Sequence, residues 1–347
     1  MAVPESVANG CLGTDLSTGN RPTGIPELEM AERGNQRIMG KMKENNIFTI
    51  IVTYNAMKWL DRCLNSLRAS SIPTTVVVID NGSTDNTIAS IQTHFPEVVL
   101  FPQDKNLGFG QANNIGMRYA LAHGASHVLL LNQDAWIEQD TIYKLLNQVK
   151  DICLITPLHL NGQGDRIDTN FRNLTLLSAA KENGMADDIL AKGIVQPFYA
   201  INYVNAACWF MPISVIETIG GFNPLFFHYG EDNNYIHRLH YHRIPIYLVP
   251  GAHIYHDRNI HGHEGVFQKG KLFRDLLLNA TNINTSYRER RRESFKILIV
   301  GAEKAAQQRV LCKYLAESIR ALCRLLTSCG AIRRSRKAEK FQKRNWM

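Results

Sequence analysis

From Phe48 onward, short β-branched runs alternate with helical stretches, and each run ends in a polar turn. That alternation is the strongest constraint on the fold, because parallel strands need a crossover between them and the usual crossover is a helix. Strands are predicted at Phe48–Tyr54, Thr75–Asp80, Val98–Phe101 and His127–Asn132. Between them Trp59, Leu60, Cys63, Leu64 and Leu67 recur at helical spacing, as do Ala112, Ile115, Gly116 and Tyr119. The first half therefore reads as an open, mostly parallel α/β sheet flanked by helices. Such sheets bind ligands at the carboxyl ends of their strands.

After Asp151 the regularity drops, and residues 161–196 are polar and Gly-rich with few strand signals. A strand is predicted at Val204–Phe210, then a short helix with Pro212 at its start and Gly220-Gly221 after its end. An aromatic segment, Phe222–Tyr229, precedes a helix over Glu231–His242 and a strand over Pro245–Pro250; from Leu272 the chain reads as helical. The expected organisation is a flexible extension over 1–45, an α/β domain over 46–270 and a basic helical region over 271–347. Within the domain, 46–150 and 200–270 form two halves.

With 347 residues, 45% hydrophobic and only 20% charged, the chain can bury a sizeable core and is not disordered over most of its length. Seven scattered cysteines without a CxxC pair read as reduced packing residues rather than a zinc site. No apolar run reaches the roughly 18–20 residues that cross a bilayer, and no basic-then-apolar leader opens the chain, so a cytosolic protein is expected. Charge is uneven: Thr281–Met347 holds 17 Lys and Arg against 5 Asp and Glu, while the rest holds 22 against 26. Within the tail, Arg309–Cys329 lines up Val310, Leu311, Tyr314, Leu315, Ile319, Leu322 and Leu326 on one stripe beside Lys313, Arg320 and Arg324, with Gly330 as a stop. That helix suits an anionic membrane, and it equally suits packing against the domain or a second subunit. Arg333–Lys337 reads as a solvated end, since nothing else there reads bases, and no nucleic-acid partner is expected.

The chemistry gathers at the strand ends: Thr53-Tyr54-Asn55, then Asp80-Asn81-Gly82-Ser83-Thr84-Asp85, then Asn132-Gln133-Asp134. Carboxylates on one sheet edge repel unless a cation or a donor-rich ligand offsets them, and a nucleotide with a divalent metal does both. Each motif alone has a plain structural reading. Asp-Asn-Gly-Ser is a good turn, Ser83 to Asp85 suit a helix cap near Asn86, Asp134 suits a cap for a helix from Ile137, and Glu231-Asp232 suit a helix start. The segment Asn106–Gly116 matches neither a Rossmann glycine fingerprint nor a Walker A loop, so dinucleotide and P-loop chemistry are disfavoured. Of the histidines between His228 and His263, one is expected to ligate a metal.

The order of the pieces is what carries meaning. Thr53-Tyr54-Asn55, Asp80 to Asp85, Asn106 to Asn114, Leu131 to Asp134, Gly220-Gly-Phe222 through Tyr229-Gly-Glu-Asp232, and His256 together resemble family 2 glycosyltransferases of the GT-A fold, rhamnosyltransferase-like members above all. The resemblance covers about Phe48 to Arg258. It implies that Thr53, Tyr54, Asn55, Asp80, Asn81 and Asp85 bind the donor nucleotide, with Asp80 on the base or ribose. Asn106, Gly108, Asn113 and Asn132 then lie along the nucleotide and its phosphates. Asp134 and His256 are implied as ligands of Mg²⁺ or Mn²⁺, Asp232 as general base, and Glu231 and Arg238 as acceptor-side residues.

This chain departs from the family's pattern at Asn132 and Gln133, where a strict DxD has an acid and often a proline. It also departs at Asn234, where an aspartate is frequent, and at Asn223-Pro224, where an acidic pair is common. The implied function is inverting transfer of a sugar, rhamnose as the leading choice, to a glycan or lipid-linked acceptor in cell-surface polysaccharide synthesis. The donor would be dTDP-rhamnose or a UDP-sugar, with the protein cytoplasmic or peripheral on the inner face of the membrane and its oligomeric state open. A sugar-nucleotide pyrophosphorylase and an inactive nucleotide-sugar-binding protein are the rival readings. The first would need a basic Gly-rich loop after the first strand, and Thr53-Tyr54-Asn55 is not one.

Overall fold

The computed structural model describes residues 45–148, 152–177, 184–258, 270–341 and 346–347. Residues 1–44, and with them nearly all of the expected N-terminal extension, lie outside the described residues, as do His261 and His263. Among the described residues nine strands form one sheet: β1 Ile47–Thr53, β2 Thr75–Asp80, β3 Val99–Pro102, β4 His127–Asn132, β5 Ala135–Ile137, β6 Leu154–Asn161, β7 Tyr199–Ala200, β8 Cys208–Pro212 and β9 Ile246–His256. Their order is β3-β2-β1-β4-β8-β6-β9-β5, with β7 also on β9.

The β3-β2-β1-β4 half is parallel, and its crossovers are α1 Leu60–Arg68, α2 Thr87–His94 and α3 Phe109–Ala122. The β1 run buries on both faces, with Ile47, Phe48, Ile50 and Ile51 at 3% exposure or less, as a parallel strand covered by helices must. On α3, Gly116 permits close packing, since a Cβ there would sit 2.4 Å from Ile50 Cγ2. The expected strand Val204–Phe210 is displaced to β8, which runs antiparallel to both β4 and β6. Because β6 and β9 are parallel to each other, two antiparallel steps restore the original direction. The C-terminal ends of β2, β4 and β9 therefore share one edge.

The expected strand at Pro245–Pro250 continues to His256. Its pairing with β6 jumps from Pro157↔Val249 to Leu158↔His253, so Pro250-Gly251 sits in an irregularity and the ladder resumes beyond it. Short α4 Thr141–Leu146 follows β5, α5 Ile213–Ile219 starts after Pro212 and ends at Gly220, and α6 spans Glu231–Tyr241. The chain then forms α7 Lys271–Thr281, α8 Tyr287–Gln307, α9 Leu311–Thr327 and α10 Cys329–Phe341. Gly330 lies inside α10, so it does not stop the tail helix as expected; the break falls at Ser328. None of the described cysteines forms a disulfide, and no helix among the described residues is long and apolar enough to cross a membrane.

Candidate active site

At the end of β2, Asp80 lies in register with Thr53 of β1 and is fully buried. Its Oδ2 accepts from Thr53 Oγ1 at 2.8 Å and from Ser83 Oγ at 2.5 Å, and its Oδ1 accepts from the Ser83 amide at 2.9 Å. Asp80 thus braces the turn from within, and its carboxylate offers no exposed edge for the ribose contact that the sequence suggests. Asn55, in the left-handed region at φ 50°, donates its amide to Ser83 Oγ and receives the Thr84 amide on Oδ1. Partial burial works against Asp85, but hydrogen bonds from Thr87 and Met57 outweigh it and hold the carboxyl below its ordinary range. Tyr54 is 47% exposed beside this turn. Its backbone amide and carbonyl both bond to the Gln133 side chain, at 2.7 and 3.2 Å. Gln133 therefore ties the β1 and β4 ends together, a role its place in a departing motif did not reveal.

Asn81 continues the edge inward. Its Nδ2 donates to Asn106 Oδ1, its Oδ1 receives the Leu107 amide, and Asn106 Oδ1 receives the Gly108 amide. At Gly108 the backbone has φ +82°, and a Cβ would fall 1.9 Å from the Phe227 carbonyl oxygen, so glycine is required there. This close approach brings the Asn106–Gly108 loop against the aromatic segment before α6. A Cβ at Gly110 would lie 2.8 Å from Phe222 Cβ and 3.5 Å from Glu231 Cβ. Asn113 is buried within α3 and donates to the Phe109 carbonyl, a bond internal to its own helix rather than one aimed at phosphates. Its neighbour Asn114 clamps the Gly-Gly-Phe turn, donating to the Phe222 carbonyl at 2.8 Å and accepting the Phe222 amide at 2.7 Å.

Beyond Asn132, the chain enters β5 instead of capping a helix. Antiparallel pairing of Ala135 with His256 brings Asp134 beside that histidine, with His256 Nε2 at 3.2 Å from Asp134 Oδ1. Asp168, from the polar stretch after β6, stands behind His256, its Oδ2 3.8 Å from Nδ1 and 2.8 Å from Arg258 Nε. Asp168 is nearly buried and also caps the turn at Phe171. At 3.8 Å Asp168 lends its charge to this corner without a hydrogen bond to the ring, whose Nδ1 is buried without a partner, and the carboxylate had no recognisable sequence signal. Among the described residues no three His, Cys, Asp or Glu side chains converge to hold a metal. A pair of donors, one carboxylate and one imidazole, fits a hard ion that takes most of its ligands from a diphosphate and water.

Helix α6 opens after Tyr229 and Gly230, both at positive φ. Glu231 is 5% exposed, and burial, then the neighbouring Asp232 charge, push its carboxyl up to about 8. Burial likewise raises Asp232, opposed by hydrogen bonds from Asn233 and from the Tyr203 hydroxyl, which donates to Oδ2 at 3.2 Å. Arg238 does not take the acceptor-side place expected of it. It is fully buried, donates to the carbonyls of Ile219 and Gly221 at 2.6 Å each, and packs between the rings of Tyr235 and Trp346. It braces the Gly-Gly turn and presents nothing to an acceptor. Beside Asp232 lies a cavity of about 490 Å³, lined by Asn202, Tyr203, Asn233, His237, His240 and Asn284 among others.

Residues 49–178 match the family model described as Glycosyl transferase family 2. They form a glycosyl transferase family 2 domain. The match holds the Asp80 turn, the Asn106 loop and Asp134, while Asp232 and His256 lie beyond it. The chain is 35% identical over 102 residues to dTDP-rhamnosyl transferase RfbF of Shigella flexneri, covering 29% of this chain and 33% of that protein. It is 42% identical over 66 residues to N-acetylglucosaminyl-diphospho-decaprenol L-rhamnosyltransferase of Mycobacterium tuberculosis, covering 19% and 22%. These stretches span a third or less of the relatives' length. Among solved structures, GalNAc-T7 crystallised with UDP, GalNAc and Mn²⁺ superposes with a TM-score of 0.55 at 14% identity, over 72% of this chain and 50% of that one. The fold is that of GT-A glycosyltransferases.

Proposed function

We propose that this chain is an inverting, metal-dependent hexosyltransferase. It moves a sugar from a nucleotide-diphosphate donor to a glycan or lipid-linked acceptor in cell-surface polysaccharide synthesis. The observation that carries the reading is the facing of Asp134 and His256, 3.2 Å apart, on the strand edge that also holds the Asp80 turn. The two named rhamnosyltransferases among the relatives favour dTDP-rhamnose over a UDP-sugar as donor.

Asp232 is the general base. Burial keeps its carboxyl above the ordinary range, and Tyr203 holds one oxygen in place. It takes the proton from an acceptor hydroxyl as that oxygen bonds to the anomeric carbon, and the bond to the diphosphate breaks on the opposite face, which inverts the configuration. Asp134 and His256 would hold Mg²⁺ or Mn²⁺, which when bound would supply positive charge to offset that of the diphosphate. Tyr54, Asn55, Asn81, Asn106 and Gly108 shape the nucleotide side, where Thr53, Asp80 and Asp85 act by fixing the turn. The acceptor lies toward the Tyr203–His240 cavity. The protein works in the cytoplasm, with its basic C-terminal helices against the inner face of the membrane.

Thermal stabilisation by dTDP and UDP, each with and without Mn²⁺, tests the donor site. One nucleotide should stabilise the protein only with metal, and Asp134→Ala should abolish the effect. Absence of any shift across both nucleotides and both metal conditions would remove the reading's support.

A further inference from the structure

Two departures from the family's acidic pattern, Asn223 and Asn234, meet at one carboxylate carried by α10. Glu339 Oε1 accepts from Asn223 Nδ2 at 2.8 Å, from Asn234 Nδ2 at 2.9 Å and from Ser335 Oγ at 3.3 Å. Ser335 Oγ also receives Asn223 Nδ2 at 2.7 Å, and the Glu339 carbonyl lies 2.9 Å from His242 Nε2. All of this is interior: Glu339 is 1% exposed, Asn223 1% and Asn234 0%. Around the same place, Met347 approaches Gly221 so closely that a Cβ there would lie 2.2 Å from its Cε, and Arg118 Nη1 donates to the Trp346 carbonyl. Arg333, Arg334 and Lys337 of the expected solvated end are exposed, while Ser335 and Glu339 on the same helix are built into the acceptor half of the domain.

We propose that Glu339 is a positioning residue: α10 supplies a buried carboxylate where Asn223 and Asn234 carry amides, and so fixes the helix whose first turn holds Asp232. The inference rests on the reading of Asp232 as general base. Asn234 lies half a turn along α6 from Asp232, and Asn223 lies one residue after the Phe222 clamp, so a single carboxylate oxygen ties both elements. Burial raises the Glu339 carboxyl, and the Arg238 charge and the amide donors draw it back. Asn234 Oδ1 and Glu339 Oε2 have no hydrogen-bond partner, so the Asn234 amide can turn and accept from a donor placed at position 339.

That freedom sets the test. Glu339→Ala should lower kcat about 10-fold to 100-fold for Mn²⁺-dependent turnover of dTDP-rhamnose, with donor KM unchanged, as expected when a reacting group is misplaced by about an ångström. Glu339→Gln should restore most of the rate, because its amide can accept from Asn223 and donate to a turned Asn234. Asn234→Asp alone opposes two buried carboxylates and should lose activity, and Asn234→Asp/Glu339→Gln should regain it. If Glu339→Ala does not fold, the comparison of Asn234→Asp with the double variant decides. Equal loss in kcat and rise in donor KM, or failure of the double variant to recover, overturns the proposal. Amide hydrogen exchange separates this result from failure of the glycosyltransferase reading. In a protein without turnover, Asn234→Asp should still speed exchange over 231–241 with recovery in the double variant, and unchanged exchange there overturns the coupling.

Discussion

Two adjacent carboxylates at the start of α6 differ in what they do to the protein, and pH separates them. Asp232 is raised by burial yet bonded by Tyr203 and Asn233, so its basic form is reached only above the ordinary aspartate value of about 3.9. Turnover should therefore rise as pH climbs past that value and level off. Asp232→Asn should remove the rise and cost about 10²- to 10⁴-fold in kcat while leaving nucleotide binding intact, measured by initial rates and by thermal shift. Glu231 acts on stability instead. Its folded value of about 8 stands above the ordinary 4.5, so the folded state holds the proton more tightly. Its favourable contribution is complete below pH 4.5 and is lost as pH rises through 8, with a slope of at most about 1.4 kcal/mol per pH unit. Melting temperatures between pH 5 and 9 should fall more steeply for the wild type than for Glu231→Gln. Equal slopes would mean that Glu231 ionises freely in the fold.

The elements were legible where one local pattern decides them. The β1, β2 and β4 runs lie within a residue of their expected bounds because apolar β-branched stretches between helices can only be buried parallel strands. The Asp80 turn, the Asn106 loop and Asp134 were legible as ordered motifs. What stayed hidden depends on distant partners. Pro250-Gly251 reads as a strand end, but the β6 ladder resumes past it and carries His256 to Asp134. Asp168, Gln133 and Asn114 act through contacts with elements far along the chain, and Arg238, which the resemblance implies on the acceptor side, is instead spent on the carbonyls of Ile219 and Gly221. The glycine loop is the sharpest test at this scale. With φ +82° and the Phe227 carbonyl 1.9 Å from a notional Cβ, Gly108→Ala must move either the loop or the aromatic segment. It should cost roughly 1–3 kcal/mol of stability, read as a lower denaturant midpoint, and should weaken nucleotide binding too. A midpoint and a nucleotide shift both equal to wild type would show that the approach does not hold the two elements together.

Across the whole molecule, the tail's charge and its outer surface point the same way. Helix α9 turns Tyr314, Ser318 and Ala321 inward, and leaves Leu315, Ile319, Leu322 and Leu326 between 39% and 71% exposed. On α8, Phe295 is 67% exposed, and Arg288, Arg291 and Arg292 are exposed one to two turns before it. A solvated helix gains nothing from such a stripe, whereas an anionic bilayer rewards both parts: the apolar side chains enter the interface, and each nearby cation adds about 1 kcal/mol. The protein should therefore cosediment with vesicles containing phosphatidylglycerol and not with phosphatidylcholine alone, and binding should weaken as salt rises because the attraction is screened. Ile319→Glu/Leu326→Glu should reduce vesicle binding without lowering the melting temperature, since both side chains are already outside the packed core. Binding that ignores lipid charge would remove the role of the cations, and a pair of glutamates that changes only the oligomeric state would assign this face to a second subunit.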